Sequence, residues 1–182
     1  MSQGTFESVS SDHAPYRADE TGKFLNGTDV PYTKIANGMP GIAARLPWLF
    51  SEGVMTGRIT LEQFVALSST NAARTFGCTK KGRIAPGCDA DIAIWNPETR
   101  RKITLEDQHD NMDFTPFEGL ELTGVPEIVM NRGHSIVEHG ELKATPGQGR
   151  FFKRAQVDLR GRPGVTLPEF DPEQNFGADL RS

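Results

Sequence analysis

The chain has 182 residues, 36% of them hydrophobic and 24% charged, with a formal net charge of −4 at pH 7. This length supports one ordinary domain or two small ones, and the negative charge argues against a nucleic-acid partner, which needs clustered Lys and Arg. No apolar run approaches the roughly 18 residues of a membrane span, and the first residues lack the basic and apolar regions of a signal peptide. We therefore expect a cytoplasmic protein with a small substrate, no nucleic acid and no membrane.

The first predicted element is a strand that ends near His13. Phe6 and Val9 supply apolar, β-forming character, and Pro15 cannot donate to a strand ladder. Asp12 would then lie at the C-terminal edge of a strand, where barrel and doubly wound α/β enzymes place their chemistry. A second interpretation stays open, in which Asp12 merely caps the turn that follows, as aspartate often does.

A long polar segment follows, from Ala14 to Met39, and it is rich in Gly, Asp, Asn, Thr and Pro. Segments of about this length without regular structure are usually lids, binding loops or disordered chain. The segment closes on Asn37-Gly38, a pair typical of a tight turn with positive φ. Such a turn exposes backbone N–H and C=O groups to a ligand, although it can also be purely structural.

Helical patterning takes over in three segments. The first covers residues 42–50, and the second begins at a capping box opened by Thr60. A third, short helix is predicted to begin at Asn71, to bury Phe76 and to end at Gly77.

Beyond Gly77 the hydrophobic period becomes strand-like. Short strands are predicted at Ile84, at 92–95 and at Ile103, with a turn at Asn96-Pro97. Farther along, 125–130 and 135–138 predict a hairpin that turns at Asn131-Arg132-Gly133, and a turn at 139–140 precedes Leu142. These segments together predict a compact antiparallel sheet.

The composition therefore divides the chain into three parts: residues 1–79 with α/β character, residues 80–145 as a small β domain, and residues 146–182 as a tail. The density of Pro and Gly in the tail favours extended or disordered chain over packed elements. Phe151 to Arg154 interrupts it with two aromatic side chains and two cations. These residues either contact a neighbouring subunit or fold back on their own domain.

Five segments together resemble the C-terminal part of cyclic amidohydrolases, specifically dihydropyrimidinases and hydantoinases. They occur in the family's order and are Ser11-Asp12-His13-Ala14-Pro15, residues 34–38, residues 68–73, Gly87-Cys88-Asp89-Ala90-Asp91-Ile92 and residues 114–119. The resemblance covers residues 5–154. It implies an α/β plus β fold: the last strand and helices of a (β/α)8 TIM-barrel metal-dependent hydrolase, with residues 5–12 as the eighth strand. A small β-sandwich-type domain and an extended C-terminal tail follow.

The resemblance also implies a metal-dependent site. The family's full barrel holds two divalent metals, commonly zinc, through a His-x-His pair, a carboxylated lysine, two further histidines and the aspartate matched here by Asp12. Asp12 would then be a metal ligand and the catalytic group that carries a proton from a metal-bound hydroxide to the departing ring nitrogen.

The other residues that this site needs are largely missing from the chain. Asn37 matches the substrate-binding position whose main chain pairs with the cyclic imide or ureide. The histidines are His13, His109, His134 and His139, and they form no His-x-His pair. We expect His13 either to be structural or to support the metal ligands without binding metal, and the other three to be surface or packing residues, so the remaining metal ligands have no counterpart here.

Two classes of function remain open. The first is a hydrolase of cyclic amide C–N bonds that opens dihydropyrimidines or hydantoins to N-carbamoyl amino acids, incomplete as this chain alone. The second is a non-catalytic structural or assembly product, such as a dihydropyrimidinase-like protein. Within enzymes, allantoinases and dihydroorotases carry motifs similar to Asp12-His13-Ala14-Pro15.

The resemblance implies two kinds of protein partner. One is a homo-oligomer, a tetramer in the family, and the other is a complementing N-terminal barrel portion. Either would cover the open sheet edge that missing N-terminal strands leave behind, and open edges invite association.

Overall fold

Helices come first along the chain and strands follow. The computed structural model describes residues 3–156, so the part of the predicted tail beyond 156 lies outside the described residues. The helices are α1 (Ile42–Leu49), α2 (Leu61–Val65) and α3 (Asn71–Thr75), and the strands are β1 (Ile92–Lys102), β2 (Glu121–Asn131), β3 (His134–Glu138) and β4 (Glu141–Leu142). Short 3-10 turns lie at Tyr32–Lys34 and Leu105–Gln108, and π-helical turns lie at Phe50–Val54 and Ala66–Thr70. Within residues 3–156 no helix is long and apolar enough to cross a membrane.

A π-helical turn joins α2 to α3, so that they form one continuous helix from Leu61, with Thr60 as its N-cap. The predicted capping box is confirmed: the Gln63 N–H donates to Thr60 Oγ1 at 3.2 Å, and the Thr60 N–H donates to Gln63 Oε1 at 2.9 Å. The predicted third helix is present as α3, which begins at Asn71, but it is not separate, because Thr70 before it is itself helical, with φ −62° and ψ −46°. The predicted burial of Phe76 is also wrong, since this residue follows the last helical turn and is 56% exposed.

The predicted strand before Asp12 is reduced to a single contact. Residues 5–12 form no strand, and one isolated parallel bridge joins His13 to Met39. The Val9 N–H donates instead to the carbonyl of Leu67, in the long helix, at 3.1 Å. A strand exists only where neighbouring backbone pairs with it, and the described residues offer this segment almost no such backbone.

The sheet is an antiparallel meander in the order β1-β2-β3-β4, as the alternating pattern predicted. Arg132 and Gly133, between β2 and β3, have φ of +49° and +79°, and His139 and Gly140, between β3 and β4, have φ of +49° and +85°. Two successive residues with positive φ are the mark of the type I′ turn, whose twist matches that of paired strands. Both predicted turns are therefore confirmed.

Two predictions, one about β1 and one about the segment before it, are wrong. The expected turn at Asn96-Pro97 does not form, because β1 runs on to Lys102 with an irregular register between Asn96 and Arg100. Proline is tolerated there because β1 is an edge strand, where a missing N–H need not break a ladder. Ile84 belongs to a loop and is 82% exposed, so no strand forms at that position.

An aromatic cluster joins the helices to the sheet. Phe50 stacks on Trp95 of β1 with ring centroids 4.5 Å apart, and Phe64 of α2 meets both rings edge-on at 5.4 Å. Aromatic pairs of this geometry add about 0.5–1.5 kcal/mol beyond their burial. A second cluster consists of Ala44, Ile103 and Leu122, with Trp48 and Phe117 packed against it. Both clusters draw side chains from before and after residue 80.

Two features of β2 fit this strand closely against the turn after α1. The Thr123 N–H donates to the buried Ser51 Oγ at 3.0 Å. Next to it, Gly124 has φ +86°, and a Cβ added there would lie 2.3 Å from the ring of Phe50. The aromatic cluster therefore depends on the absence of a side chain at residue 124.

We predict that Gly124→Ala destabilises the chain more than Gly140→Ala does. Both glycines have nearly the same left-handed φ, but nothing lies within 4 Å of a Cβ at Gly140. The left-handed conformation should cost each variant about 1–2 kcal/mol, and contact with Phe50 should add about 1–3 kcal/mol at residue 124 alone. Urea unfolding of the two variants measures the difference, and equal losses would contradict the close contact.

Candidate functional site

Asp12 has an unusual backbone conformation and an unengaged side chain. Its φ is +47°, in the left-handed region that few residues other than glycine adopt, although aspartate tolerates it better than most. The residue is exposed, and within residues 3–156 its carboxylate makes no hydrogen bond. The turn-capping bond of the alternative interpretation is thus not formed among these residues, and the carboxylate is available to a ligand.

His13, the next residue, connects this segment to α1. Its Nδ1 accepts hydrogen bonds from the N–H groups of Gly41 at 3.1 Å and Ile42 at 3.3 Å. These are among the first N–H groups of the helix, which have no partner within it. Acceptance requires an Nδ1 without a proton, so His13 serves as a helix cap, which is the structural alternative of the two roles that we expected for it.

The Asn37 turn lies directly beside the Asp12 segment. His13 bridges Met39, and the Ala14 N–H donates to the Met39 carbonyl at 3.3 Å. Gly38 has φ +91°, and a Cβ added there would lie 2.6 Å from the Cβ of Ala14. Glycine is therefore required both by the turn and by the close approach of the two segments.

Lys23 determines which groups of this turn remain open. Its Nζ donates to the carbonyl of Ala36 at 2.9 Å and to that of Gly38 at 2.6 Å. Among the described residues, neither the N–H nor the C=O of Asn37 forms a hydrogen bond. The backbone of Asn37 is thus left free between two carbonyls that Lys23 occupies, a role of Lys23 that no local sequence signal indicated.

The loop from Ala14 to Met39 is ordered by its own polar contacts. Asp19 accepts hydrogen bonds from Thr21 Oγ1 at 2.6 Å, from the Thr21 N–H at 2.9 Å and from Arg17 Nε at 2.7 Å. The bonds from Thr21 and Arg17 lower the pKa of Asp19 to about 2. A further bond, from the Ala18 N–H to Asp113 at 2.9 Å, ties the loop to the segment before β2.

The residues present do not fit a two-metal centre. Among residues 3–156 no three His, Cys, Asp or Glu side chains lie close enough together to hold a metal ion. His109, His134 and His139 are exposed, as expected for surface histidines, and His13 uses Nδ1 to cap α1. Asp12 is therefore at most one ligand of such a centre.

The Asp89-Ala90-Asp91 part of the fourth family-like segment forms an ion cluster with Lys81. Lys81 Nζ lies 2.8 Å from Asp89 and 2.5 Å from Asp91, and Asp91 also accepts the Arg132 N–H at 2.8 Å. Hydrogen bonds to Asp89 and then Asp91 raise the pKa of Lys81. Partial burial raises the pKa of Asp91, but the bonds from Lys81 and Arg132 outweigh it and leave this pKa below its usual value. The cluster holds the loop before β1 against the β2–β3 turn.

The start of the tail folds back on its own chain where the structure describes it. The ring centroid of Phe152 lies 5.9 Å from Lys81 Nζ, and the Ala155 N–H donates to the Gly77 carbonyl at 2.9 Å. Phe151 is nevertheless 93% exposed. Of the two interpretations of residues 151–154, these contacts support folding back, and Phe151 leaves a surface for a partner.

Comparisons with known proteins agree on one family. The amidohydrolase family matches residues 1–136. A D-hydantoinase of Geobacillus stearothermophilus is 48% identical over 126 residues, which are 69% of this chain and 27% of that protein. Dihydropyrimidinase 2 of Caenorhabditis elegans is 44% identical over 125 residues, which are 68% of this chain and 24% of that protein.

Solved structures show the same likeness in three dimensions. The crystal structure of dihydropyrimidinase from Brevibacillus agri matches 86% of this chain and 34% of its own, with a TM-score of 0.80 and 40% identity. An L-hydantoinase from Arthrobacter aurescens matches 79% of this chain and 31% of its own, with a TM-score of 0.69 and 28% identity. The chain thus spans between 24% and 34% of the length of these relatives.

We expect His13→Ala to weaken the start of α1. Two N–H groups lose their acceptor, and loss of a cap costs about 0.5–2 kcal/mol. The control is His134→Ala, which removes an exposed imidazole and should change stability by less than about 0.5 kcal/mol. Urea unfolding gives the stability, and amide hydrogen exchange should accelerate at Gly41 and Ile42 only in the first variant. Unchanged exchange at these two amides would contradict the capping role.

The lowered pKa of Asp19 predicts a pH-dependent contribution to stability. The ordinary value is 3.8 and the folded value is about 2, so the charged form is favoured by folding. The contribution is fully present above pH 3.8 and is lost as the pH falls through about 2. The urea midpoint of Asp19→Asn should therefore lie below that of the unaltered chain at pH 6 and approach it at pH 3. Asp29→Asn, in the same loop, is the matched control, and a gap that stays constant would contradict the prediction.

Proposed function

The chain belongs to the amidohydrolase family, and from that membership we propose that it is the C-terminal portion of an enzyme that hydrolyses cyclic amide C–N bonds. The substrates would be dihydropyrimidines or hydantoins, and the products N-carbamoyl amino acids. The names of the relatives, hydantoinases and dihydropyrimidinases, support this choice over allantoinase and dihydroorotase. In this proposal residues 1–79 end a (β/α)8 barrel, residues 80–145 belong to a small β-sandwich-type domain, and residues 146–182 form the tail.

One observation carries the proposal: an unengaged carboxylate lies beside an unengaged peptide backbone. The bridge between His13 and Met39 holds Asp12 and Asn37 on adjacent segments. Among the described residues, neither the Asp12 carboxylate nor the N–H and C=O of Asn37 form a hydrogen bond. A cyclic ureide offers a matching set of groups, with ring N–H donors and C=O acceptors. The Asn37 N–H would donate to a ring carbonyl and its C=O would accept from a ring N–H.

Asp12 would supply proton transfer. Opening the ring breaks a C–N bond, and an amide nitrogen is a poor leaving group unless it gains a proton as it departs. A carboxylate can take the proton of the attacking water and deliver it to that nitrogen. General acid–base catalysis of this kind raises the rate by about 10²–10⁴-fold. The left-handed backbone at Asp12 is the kind of local strain that functional sites often hold.

The two-zinc centre of a complete family barrel cannot be assembled from residues 3–156, which place no three ligands together. We therefore propose that a divalent-metal centre of the family's kind, with two zinc ions, would need ligands from a complementing N-terminal portion. Phe6, Met39 and Ile42 are between 52% and 61% exposed and offer that portion an apolar surface.

A non-catalytic role is the second candidate, and the absence of a ligand cluster from residues 3–156 favours it. A chain that keeps the sheet and the exposed Phe151 without assembling a metal site could act only in assembly, as a homo-oligomer or with a longer relative. This candidate and the first one predict different behaviour when the chain meets an N-terminal barrel portion.

We predict that the chain alone is inactive and that mixing it with a separately produced N-terminal barrel portion of a hydantoinase restores hydrolysis. Ring opening of dihydrouracil and of hydantoin is measured together with metal content, before and after mixing. Inactivity of the mixture, with a stable complex formed, would reject the enzymatic proposal and leave the structural role.

In the active mixture, Asp12→Asn should lower the rate by about 10²–10⁴-fold, because the amide cannot accept and return the proton. Asp29→Asn removes the same charge from the neighbouring loop and should leave the rate within about two-fold, as surface substitutions usually do. Equal rates for the two variants would remove Asp12 from the catalytic role.

A further inference from the structure

A cleft lies where the loop before β1, the β2–β3 turn and the start of the tail meet. Its volume is about 350 Å³. Five of its lining residues are cations and one is a carboxylate, and they are Lys80, Lys81, Arg132, Arg150, Lys153 and Asp89. On a chain with a net charge of −4, this concentration of positive charge is unusual.

The charges of these cations are not all balanced. Lys81 is paired with Asp89 and with Asp91, and Asp91 does not line the cleft. Within the described residues, Lys80, Arg150 and Lys153 make no ion pair. The cleft thus keeps an excess of three positive charges after both carboxylates are counted.

Hydrogen bonds hold the floor of the cleft in place before any ligand arrives. Arg132 Nη2 donates to the Gln148 carbonyl at 2.5 Å, and the Asp89 N–H donates to the Lys80 carbonyl at 2.9 Å. The ring of Phe152 lies over Lys81 and closes one wall. The Arg132 guanidinium is thus held in place beforehand and loses little entropy when an anion binds, which favours affinity.

We propose that this cleft binds a small molecule through a phosphate group. Two guanidinium groups and two unpaired ammonium groups suit the several oxygens of a phosphate, since guanidinium can donate two parallel hydrogen bonds and lysine supplies a point charge. Concave surfaces lined by one sign of charge also concentrate ions of the opposite sign. Phe151 also lines the cleft, and its exposed ring could stack on a planar group attached to the phosphate. This proposal does not depend on the amidohydrolase activity.

The test uses inorganic pyrophosphate as the probe and calorimetric titration of the full chain at constant ionic strength. In the double variant Lys80→Gln/Lys153→Gln, the dissociation constant should rise by about ten-fold or more, since two charge-assisted contacts are lost. The control is Lys34→Gln/Lys102→Gln, which removes the same charge at exposed positions outside the cleft and should change the constant by less than about two-fold. Amide NMR shifts in the unaltered chain should concentrate at Lys80, Arg132 and Lys153.

Three results would overturn the proposal. They are the absence of pyrophosphate binding, an equal weakening in both double variants, and binding to vesicles that contain phosphatidic acid without binding to pyrophosphate. The first denies a site, the second reduces it to general surface charge, and the third assigns the cleft to a membrane surface. Circular dichroism of each variant confirms that the fold is retained.

Discussion

The stacking of Phe50 on Trp95 is the contact on which the positions of the other elements depend. It fixes the turn after α1 against the sheet, and the hydrogen bond from the Thr123 N–H to Ser51 holds the same turn from the side of β2. Once α1 is placed, its first N–H groups are placed as well, and these are the groups that His13 accepts. The location of the exposed aspartate next to His13 therefore follows, step by step, from an aromatic contact at the other end of α1.

Polar side chains serve two different purposes in this chain. One group consists of Lys81, Asp89 and Asp91, which form ion pairs with one another and hold separate loops together. Their charges are therefore largely neutralised within the fold. Asp12 and the Asn37 backbone are left without hydrogen-bond partners in the described residues, although neighbouring residues such as Ala14 and Met39 are bonded to each other. Burial and mutual pairing thus separate groups that stabilise the structure from groups that remain available for chemistry. The contrast explains why the Asp12 segment is a candidate for catalysis, whereas Asp89-Ala90-Asp91 stabilises the fold.

This chain belongs to the amidohydrolase family and spans only part of the length of its relatives. The chain matches between 79% and 86% of itself to solved hydantoinase and dihydropyrimidinase structures but only about a third of theirs. Residues 5–12 form no strand, and large apolar side chains such as Phe6 stay exposed beside them. Both features are what a segment shows when the backbone that would pair with it and the side chains that would cover it belong elsewhere. These are the surfaces that the proposed complementing N-terminal portion would cover.

Local signals in the sequence determined the elements whose causes lie within a few residues. The capping box at Thr60, the two hairpin turns and the positive φ of Gly38 depend on adjacent residues, and all of them were predicted. The sequence also identified the family and singled out Asp12 and Asn37. Only the tertiary structure decided that β1 passes through Asn96-Pro97, that Lys23 occupies the carbonyls of the Asn37 turn and that the first strand shrinks to one bridge. These outcomes depend on residues that are distant along the chain, and a local sequence pattern does not specify which distant backbone a segment will pair with.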